Sequence, residues 1–317
     1  MRQIVSGLCW ALALLSATAA NAQQDQSEDL AKKLANPIAS LISVPFQFNY
    51  NGKIGPVENG QQSYVNIQPV IPISLGPDWN LISRTILPVI TQSDIFPGAG
   101  NQTGTGDITQ SFFFSPKQPG PGGIIWGVGP VVYVPTASDD LLGINRWGGG
   151  ITGVALKQFE GWTVGILANH VWSNTDDPLK TDYSNTFLQP FLSYTTHDAW
   201  TYSINLESNY DWITHQWSVP ANLTIAKLLK FGDQPVQIGG GFRYWLTSPD
   251  SGPHGFVLVS DARLSGFQDV AAPLQGLEAE YLGVEIAPLA AEKGRVEIPR
   301  RTKMVGAVGI EPTTSPV

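Results

Sequence analysis

From about Pro45 to Phe256 the chain alternates apolar and polar side chains in stretches of roughly ten to fourteen residues, a period of two that marks strands with unlike faces. In Trp200-Thr201-Tyr202-Ser203-Ile204-Asn205-Leu206-Glu207, the residues Trp200, Tyr202, Ile204 and Leu206 fall on one face. Thr201, Ser203, Asn205 and Glu207 fall on the other. The pattern predicts strands over Pro45–Asn51, Ser63–Leu75, Trp79–Gln92, Gly106–Ser115, Ile124–Pro135 and Gly149–Gln158. It predicts more over Trp162–Ser173, Asn185–Thr195, Trp200–Trp212, Trp217–Leu229 and Gln234–Leu246, with a twelfth opening near Gly255. Tight connections (Leu75–Asp78, Phe159–Gly161, Thr196–Asp198) alternate with longer ones (Gly52–Gln62, Ser93–Thr105, Thr136–Gly148, Asn174–Ser184). Short turns at one end and long loops at the other, with apolar and polar faces alternating, predict an all-β fold: an antiparallel transmembrane β-barrel of about 12 strands. Pro69, Pro72, Pro88, Pro130, Pro190 and Pro220 fall inside these strands. Proline has no N–H for the ladder, so each predicts a bulge or a local break.

Before the strands, Ser27–Leu41 reads as a short amphipathic helix with Leu30, Leu34 and Ile38 on one face, which Asn36-Pro37 would kink or end. Two placements fit it: a solvated periplasmic leader, or a helix packed into the barrel mouth or lumen. After about Phe256 the alternation stops, no Trp follows Trp245, and charges gather at Glu292–Arg295 and Arg300–Lys303. The expectation is a barrel over residues 45–256 and an unstructured tail over 257–317.

Composition narrows the class. Charged residues make up 14% of the chain, against about 25% in an ordinary soluble domain, as expected where strands face lipid. The net charge of −8 lacks the basic footprint that nucleic acid requires. Met1-Arg2, the apolar run Leu8–Leu15 and Ala20-Asn21-Ala22 read as a secretory signal peptide over residues 1–22, leaving a leader at 23–44. The sole cysteine, Cys9, lies within that signal, so the mature chain has no thiolate chemistry. No cofactor or metal is expected.

The chain resembles the Gram-negative outer-membrane barrels grouped under the MetA pathway of phenol degradation. The resemblance rests on Asn36–Gln47, Asn66–Pro72, Asp78–Pro88, Gly106-Asp107-Ile108, Ser111–Pro116 and Trp126–Pro130. It continues through Leu156-Lys157-Gln158, Asn169–Trp172, Phe187–Tyr194, Glu207-Ser208 and Gln234–Gln237, spanning roughly residues 28–255. It implies an outer-membrane barrel of about twelve strands that takes up aromatic or other small hydrophobic compounds. The implied partners are outer-membrane lipid, lipopolysaccharide, the barrel-assembly machinery and a small hydrophobic or aromatic solute. Such families close on an alternating strand with a terminal aromatic. Ser251–Gly255 looks like its lead-in, and an altered reading frame near 254–257 is the expected reason that the closing strand is lost.

Charge on a lipid face costs about 2–4 kcal/mol at mid-membrane for Arg or Lys. Arg84, Lys157, Glu207 and Arg243 are therefore placed inward, and Asn66, Gln68 and Asn205 line the same lumen. Two readings compete: a charge constriction that selects solutes, or a structural network in which Arg84 and Arg243 pair with Glu207. No catalytic residues are expected. His170, His197 and His215 lack a Gly-x-Ser-x-Gly elbow or a His-Glu-x-x-His helix. Passive passage of small hydrophobic or aromatic compounds across the outer membrane is the reading. A plugged structural barrel and an outer-membrane lipid hydrolase are its rivals.

Overall fold

The computed structural model describes residues 26–174, 182–232 and 234–265. The expected signal peptide (1–22), part of the expected loop over 174–184, and residues 266–317 lie outside the described residues. A helix, α1, covers residues 26–34. The strands are β1 (Ser43–Ile54), β2 (Gly60–Ile67), β3 (Val70–Ser74), β4 (Trp79–Ser93), β5 (Asn101–Thr105) and β6 (Ile108–Pro116). They continue with β7 (Ile124–Val134), β8 (Gly148–Phe159), β9 (Trp162–Ser173), β10 (Tyr183–Thr195) and β11 (Trp200–Leu206). The last are β12 (Ser208–Asp211), β13 (Gln216–Phe231), β14 (Gln234–Thr247) and β15 (Phe256–Ser265).

Sequential strands pair antiparallel throughout. β2 with β3, β5 with β6, and β11 with β12 each make one interrupted rung, so the fifteen segments build a closed barrel of 12 strands. The interruptions follow the prolines. Pro69 separates β2 from β3. Pro220 lies opposite Glu207, the residue between β11 and β12, and the β13–β14 register shifts at Val219/Pro220. Gly106-Asp107 is an inserted bulge between β5 and β6, and the Gly106 N–H donates to the carbonyl of Pro88 across it. The β6–β7 ladder has a gap around Pro130, between the Ser111↔Val131 and Phe114↔Val128 pairs. Each break falls where a pyrrolidine ring leaves a rung without its donor. Pro72 sits within a continuous pairing, opposite Ile82.

The closing strand corrects the expected boundary. Phe256–Ser265 pairs with β14 from Val236↔Leu264 to Tyr244↔Phe256 and with β1 from Ser43↔Ser265 to Asn49↔Val259. The barrel therefore runs to residue 265, and closure needs no other reading frame. Sequence alternation alone missed it because the outward positions include the small residues Ser260 and Ala262, which leave no apolar stripe. Two loops are also shorter than expected. β1 and β2 leave only residues 55–59 between them, and β5 occupies 101–105.

The molecule is inside out. Ile151 is 64% exposed and Phe242 58%, whereas Arg243 is 2% exposed and Asn49 is fully buried. In a soluble domain those ranks are reversed. The outward row is an apolar band with aromatics at both ends, the form that a lipid-facing surface takes. At the tight-turn end Trp79 meets Trp126 edge-on at 5.9 Å and Trp162 meets Tyr194 at 4.8 Å. At the loop end Tyr210 contacts Trp212 and Trp217 at 4.9 and 4.8 Å.

The leader packs into the barrel, the second of its two expected placements. Ala31, Leu34, Ile38 and Ala39 are buried. The last carbonyls of a helix lack full helical pairing; Lys32 O keeps a backbone bond from the Ala35 N–H at 3.1 Å, and barrel side chains add to this end. Gln158 Nε2 donates to Lys32 O at 2.8 Å and Arg263 Nη1 to Leu34 O at 2.6 Å. Asn80 Nδ2 donates to Ser40 Oγ at 2.8 Å. His197, in the β10–β11 turn, meets Glu28 Oε2 through Nδ1 at 2.5 Å. The segment thus closes on the tight-turn end.

Candidate functional site

Two unlike walls face the lumen. One is apolar: Val70, Ile82, Phe113, Val154, Leu156 and Leu167 form a buried cluster, with Ile125, Phe187 and Phe191 packed against it. These positions alternate with outward ones along their strands, so the cluster belongs to the barrel interior. Ile38 of the leader inserts into it.

The other wall is a chain of charges and amides. Arg243 engages all three of its nitrogens: Nε donates to Asn222 Oδ1 at 2.7 Å, Nη1 to the Tyr64 hydroxyl at 3.0 Å, and Nη2 to Glu207 Oε2 at 2.6 Å. Asn222 Nδ2 passes the chain to Asn205 Oδ1 at 2.8 Å. On the far side Gln47 Nε2 reaches Glu207 Oε1 at 3.5 Å, Gln68 Nε2 donates to Gln47 Oε1 at 2.8 Å, and Arg84 Nη2 donates to Gln68 Oε1 at 2.8 Å. The two arginines stand differently. Arg243 is buried and ion-paired, whereas Arg84 is part-exposed and makes no ion pair among the described residues. The charges that act on Arg84 are Arg263, of like sign, and Glu207, of opposite sign.

Between this wall and the leader lies a cavity of about 190 Å³. Its lining includes Leu34, Asn36 and Pro37 of the leader, Gln47, Gln68, Arg84, Glu207 and Arg263 of the polar wall, and Val70 and Phe191 of the apolar one.

The loop end carries a ladder of amides. Asn51 Nδ2 donates to Gln62 Oε1 at 3.3 Å, Gln62 Nε2 to Gln92 Oε1 at 2.9 Å, and Gln92 Nε2 to Gln102 Oε1 at 3.2 Å. Gln92 Nε2 also reaches the carbonyl of Leu141 at 3.0 Å, which ties the loop over residues 135–147 to the mouth. Asp107, in the bulge, holds the same loop. Its Oδ1 accepts from the N–H groups of Thr136 and Ala137, both at 3.1 Å, and its Oδ2 from that of Asn145 at 2.9 Å. Oδ1 of Asn49 and of Asn51 are buried acceptors with no protein donor among the described residues.

Of the residues singled out from the sequence, Asn66, Gln68, Arg84, Asn205, Glu207 and Arg243 occupy inward positions, and all but Asn66 belong to the hydrogen-bonded chain. Lys157 does not join them. It pairs with the outward Ile124 and Val164 and is exposed. Its neighbours Leu156 and Gln158 take the inward positions, and a period of two cannot place all three inside. Lys157 lies two residues from the turn after Phe159, where a long side chain reaches the interface. The sequence reading missed Tyr64, Asn222 and Gln47, whose role appears only through cross-strand register. It also missed the loop-holding role of Asp107, although a Gly-Asp break in an alternating run is itself a signal.

His170 faces outward near the loop end. Its Nδ1 lies 2.8 Å from the Thr186 hydroxyl, which also accepts from Trp212 Nε1 at 2.8 Å. Trp172 and Trp212 flank the ring at 5.3 and 6.3 Å. That is an interfacial aromatic cluster rather than a nucleophile and base oriented by a third group.

The structure is similar to that of an outer-membrane channel from Pseudomonas putida F1, with a TM-score of 0.58 and 15% identity, covering 73% of this chain and 97% of that one. At that identity the likeness shows the fold alone: a barrel of the outer-membrane type. Two further structures match with lower scores. The β domain of the Bordetella autotransporter BrkA has a TM-score of 0.41 and 10% identity, covering 72% of this chain and 100% of that one. Outer-membrane phospholipase A from Escherichia coli has 0.42 and 11%, covering 70% and 96%. Likenesses at that level carry no argument about function. No family model matches the chain. No curated protein matches its sequence.

Proposed function

We propose that this chain is an outer-membrane channel for the passive passage of small hydrophobic or aromatic compounds, as in the phenol-degradation barrels whose motifs it resembles. The observation that carries the reading is the two-walled lumen. Val70, Ile82, Phe113 and Leu167 offer an apolar track beside the polar chain from Arg84 to Arg243. A solute with a ring and one polar group finds a partner on each side, so it trades little hydration for passage. The buried oxygens of Asn49 and Asn51 add acceptors for a hydroxyl along the way. The outward apolar band seats the barrel in outer-membrane lipid, with lipopolysaccharide at the loop end, and the assembly machinery inserts it. No step needs a cofactor, and the residues are read as a path rather than as catalysts.

The test is uptake of ionised benzoate, which crosses bare lipid slowly, by vesicles carrying the folded chain. Uptake above that of empty vesicles supports the channel. A second reading, a plugged barrel that serves as an anchor, is favoured by the leader's seat in the lumen. It predicts that folded protein adds no uptake even after the leader is removed.

A further inference from the structure

The cavity beside Arg84 has the makings of a binding site and not only of a passage. Among the described residues Arg84 is a lumen cation without an ion pair. The carboxylate of Glu207 is paired with Arg243 at 2.6 Å, and the hydrogen bond of Arg84 runs to the neutral amide oxygen of Gln68 at 2.8 Å. The neighbouring Arg263 adds charge of the same sign. A guanidinium presents a planar fork of donors that matches a carboxylate in two parallel hydrogen bonds. Gln68 occupies only one of those directions.

The lining of the cavity is also apolar in part. Val70, the cross-strand partner of Arg84, lines it with Phe191 and Pro37, and Val70 and Phe191 belong to the apolar cluster. The cavity measures about 190 Å³, and an apolar cavity of about 150 Å³ is enough to take a benzene ring. The volume therefore admits one ring, or a branched chain of that size.

We propose that this cavity binds small amphipathic carboxylates, with Arg84 holding the carboxylate and the Val70–Phe191–Pro37 lining holding an apolar body of about one ring. This rests on the reading of the lumen as a solute path and narrows its substrate class. Because Asn36 and Pro37 floor the cavity, a bound solute touches the leader that closes the tight-turn end.

The experiment is equilibrium binding by titration calorimetry on the full chain, folded in detergent, with benzoate, cyclohexanecarboxylate, benzyl alcohol and acetate. Both ring carboxylates should bind roughly tenfold or more tighter than benzyl alcohol, the weight of one charge-assisted pair. They should also bind tighter than acetate, which has the charge without the body. Arg84→Gln should abolish that preference and Arg84→Lys should retain part of it. The ligand series on the unaltered chain decides the matter even if a variant fails to fold. Equal binding of benzoate and benzyl alcohol, or no binding of either, overturns the proposal. Binding without vesicle uptake defeats the channel reading and keeps the site. Uptake without binding does the reverse.

Discussion

Arg243 donates from Nη2 to Oε2 of Glu207 at 2.6 Å, from a side chain that is 2% exposed to one that is 20% exposed. This contact joins β14 to the break between β11 and β12, where Pro220 lies opposite Glu207 and lacks an N–H to give. The ion pair thus braces the barrel wall where the ladder is interrupted. Removing one partner strands the other charge, so Arg243→Met should destabilise the folded barrel by about 3 kcal/mol. The double change Arg243→Met with Glu207→Gln should recover most of that. Urea unfolding followed by tryptophan fluorescence measures both.

The closing strand makes the sharpest structural prediction. A chain that ends at Gly255 loses both ladders of Phe256–Ser265 and leaves the edges of β1 and β14 unpaired. Unpaired backbone in lipid costs several kcal/mol per group. On a denaturing gel the chain ending at Gly255 should show no faster band without heating. A chain cut beyond residue 267 should keep that band.

Arg84 and Lys157 separate lumen charge from surface charge. Arg84→Gln should lower the preference of the channel for anions in a salt gradient, because its guanidinium lies on the path. Lys157→Gln should leave the reversal potential unchanged, because Lys157 faces outward beside Ile124 and Val164.

Asp107 should act on the loop and not on the barrel. Its carboxylate accepts three backbone N–H groups from residues 136, 137 and 145. Asp107→Ala should speed proteolytic nicking within 135–147 on the order of tenfold, by raising the local opening equilibrium. The heat-dependent gel shift should remain. An unchanged nicking rate would mean that Gln92 and the remaining contacts hold the loop unaided.

Most of the wall was legible in the sequence because a period of two fixes which residue faces which side. Trp200, Tyr202 and Ile204 outward follow from alternation alone. So does the inward setting of Arg84, Glu207 and Arg243, since lipid penalises the other choice. Lys157 shows the limit of the penalty argument: near a turn the cost of facing out is small, and the register of Leu156 and Gln158 decides. The closing strand was lost to sight because Ser260 and Ala262 blur its outward row, although two neighbouring strands supply its pairing. The partners of Arg243 were hidden for a related reason. Tyr64, Asn222 and Glu207 come from three different strands, and only the register of a closed barrel brings them to one guanidinium. The seat of the leader depends on the shape of the lumen, which no local pattern encodes.

The most direct measurement is single-channel current in planar bilayers for the folded chain, compared with a variant that lacks residues 23–42. Residues 26–42 close the tight-turn end and seat Ile38 in the apolar wall. A solute-conducting lumen therefore predicts small or intermittent steps for the full chain and larger, steadier steps for the variant. It also predicts benzoate-dependent interruptions in both. A variant that folds and closes yet passes no current would contradict the channel, and would leave the barrel as an anchor.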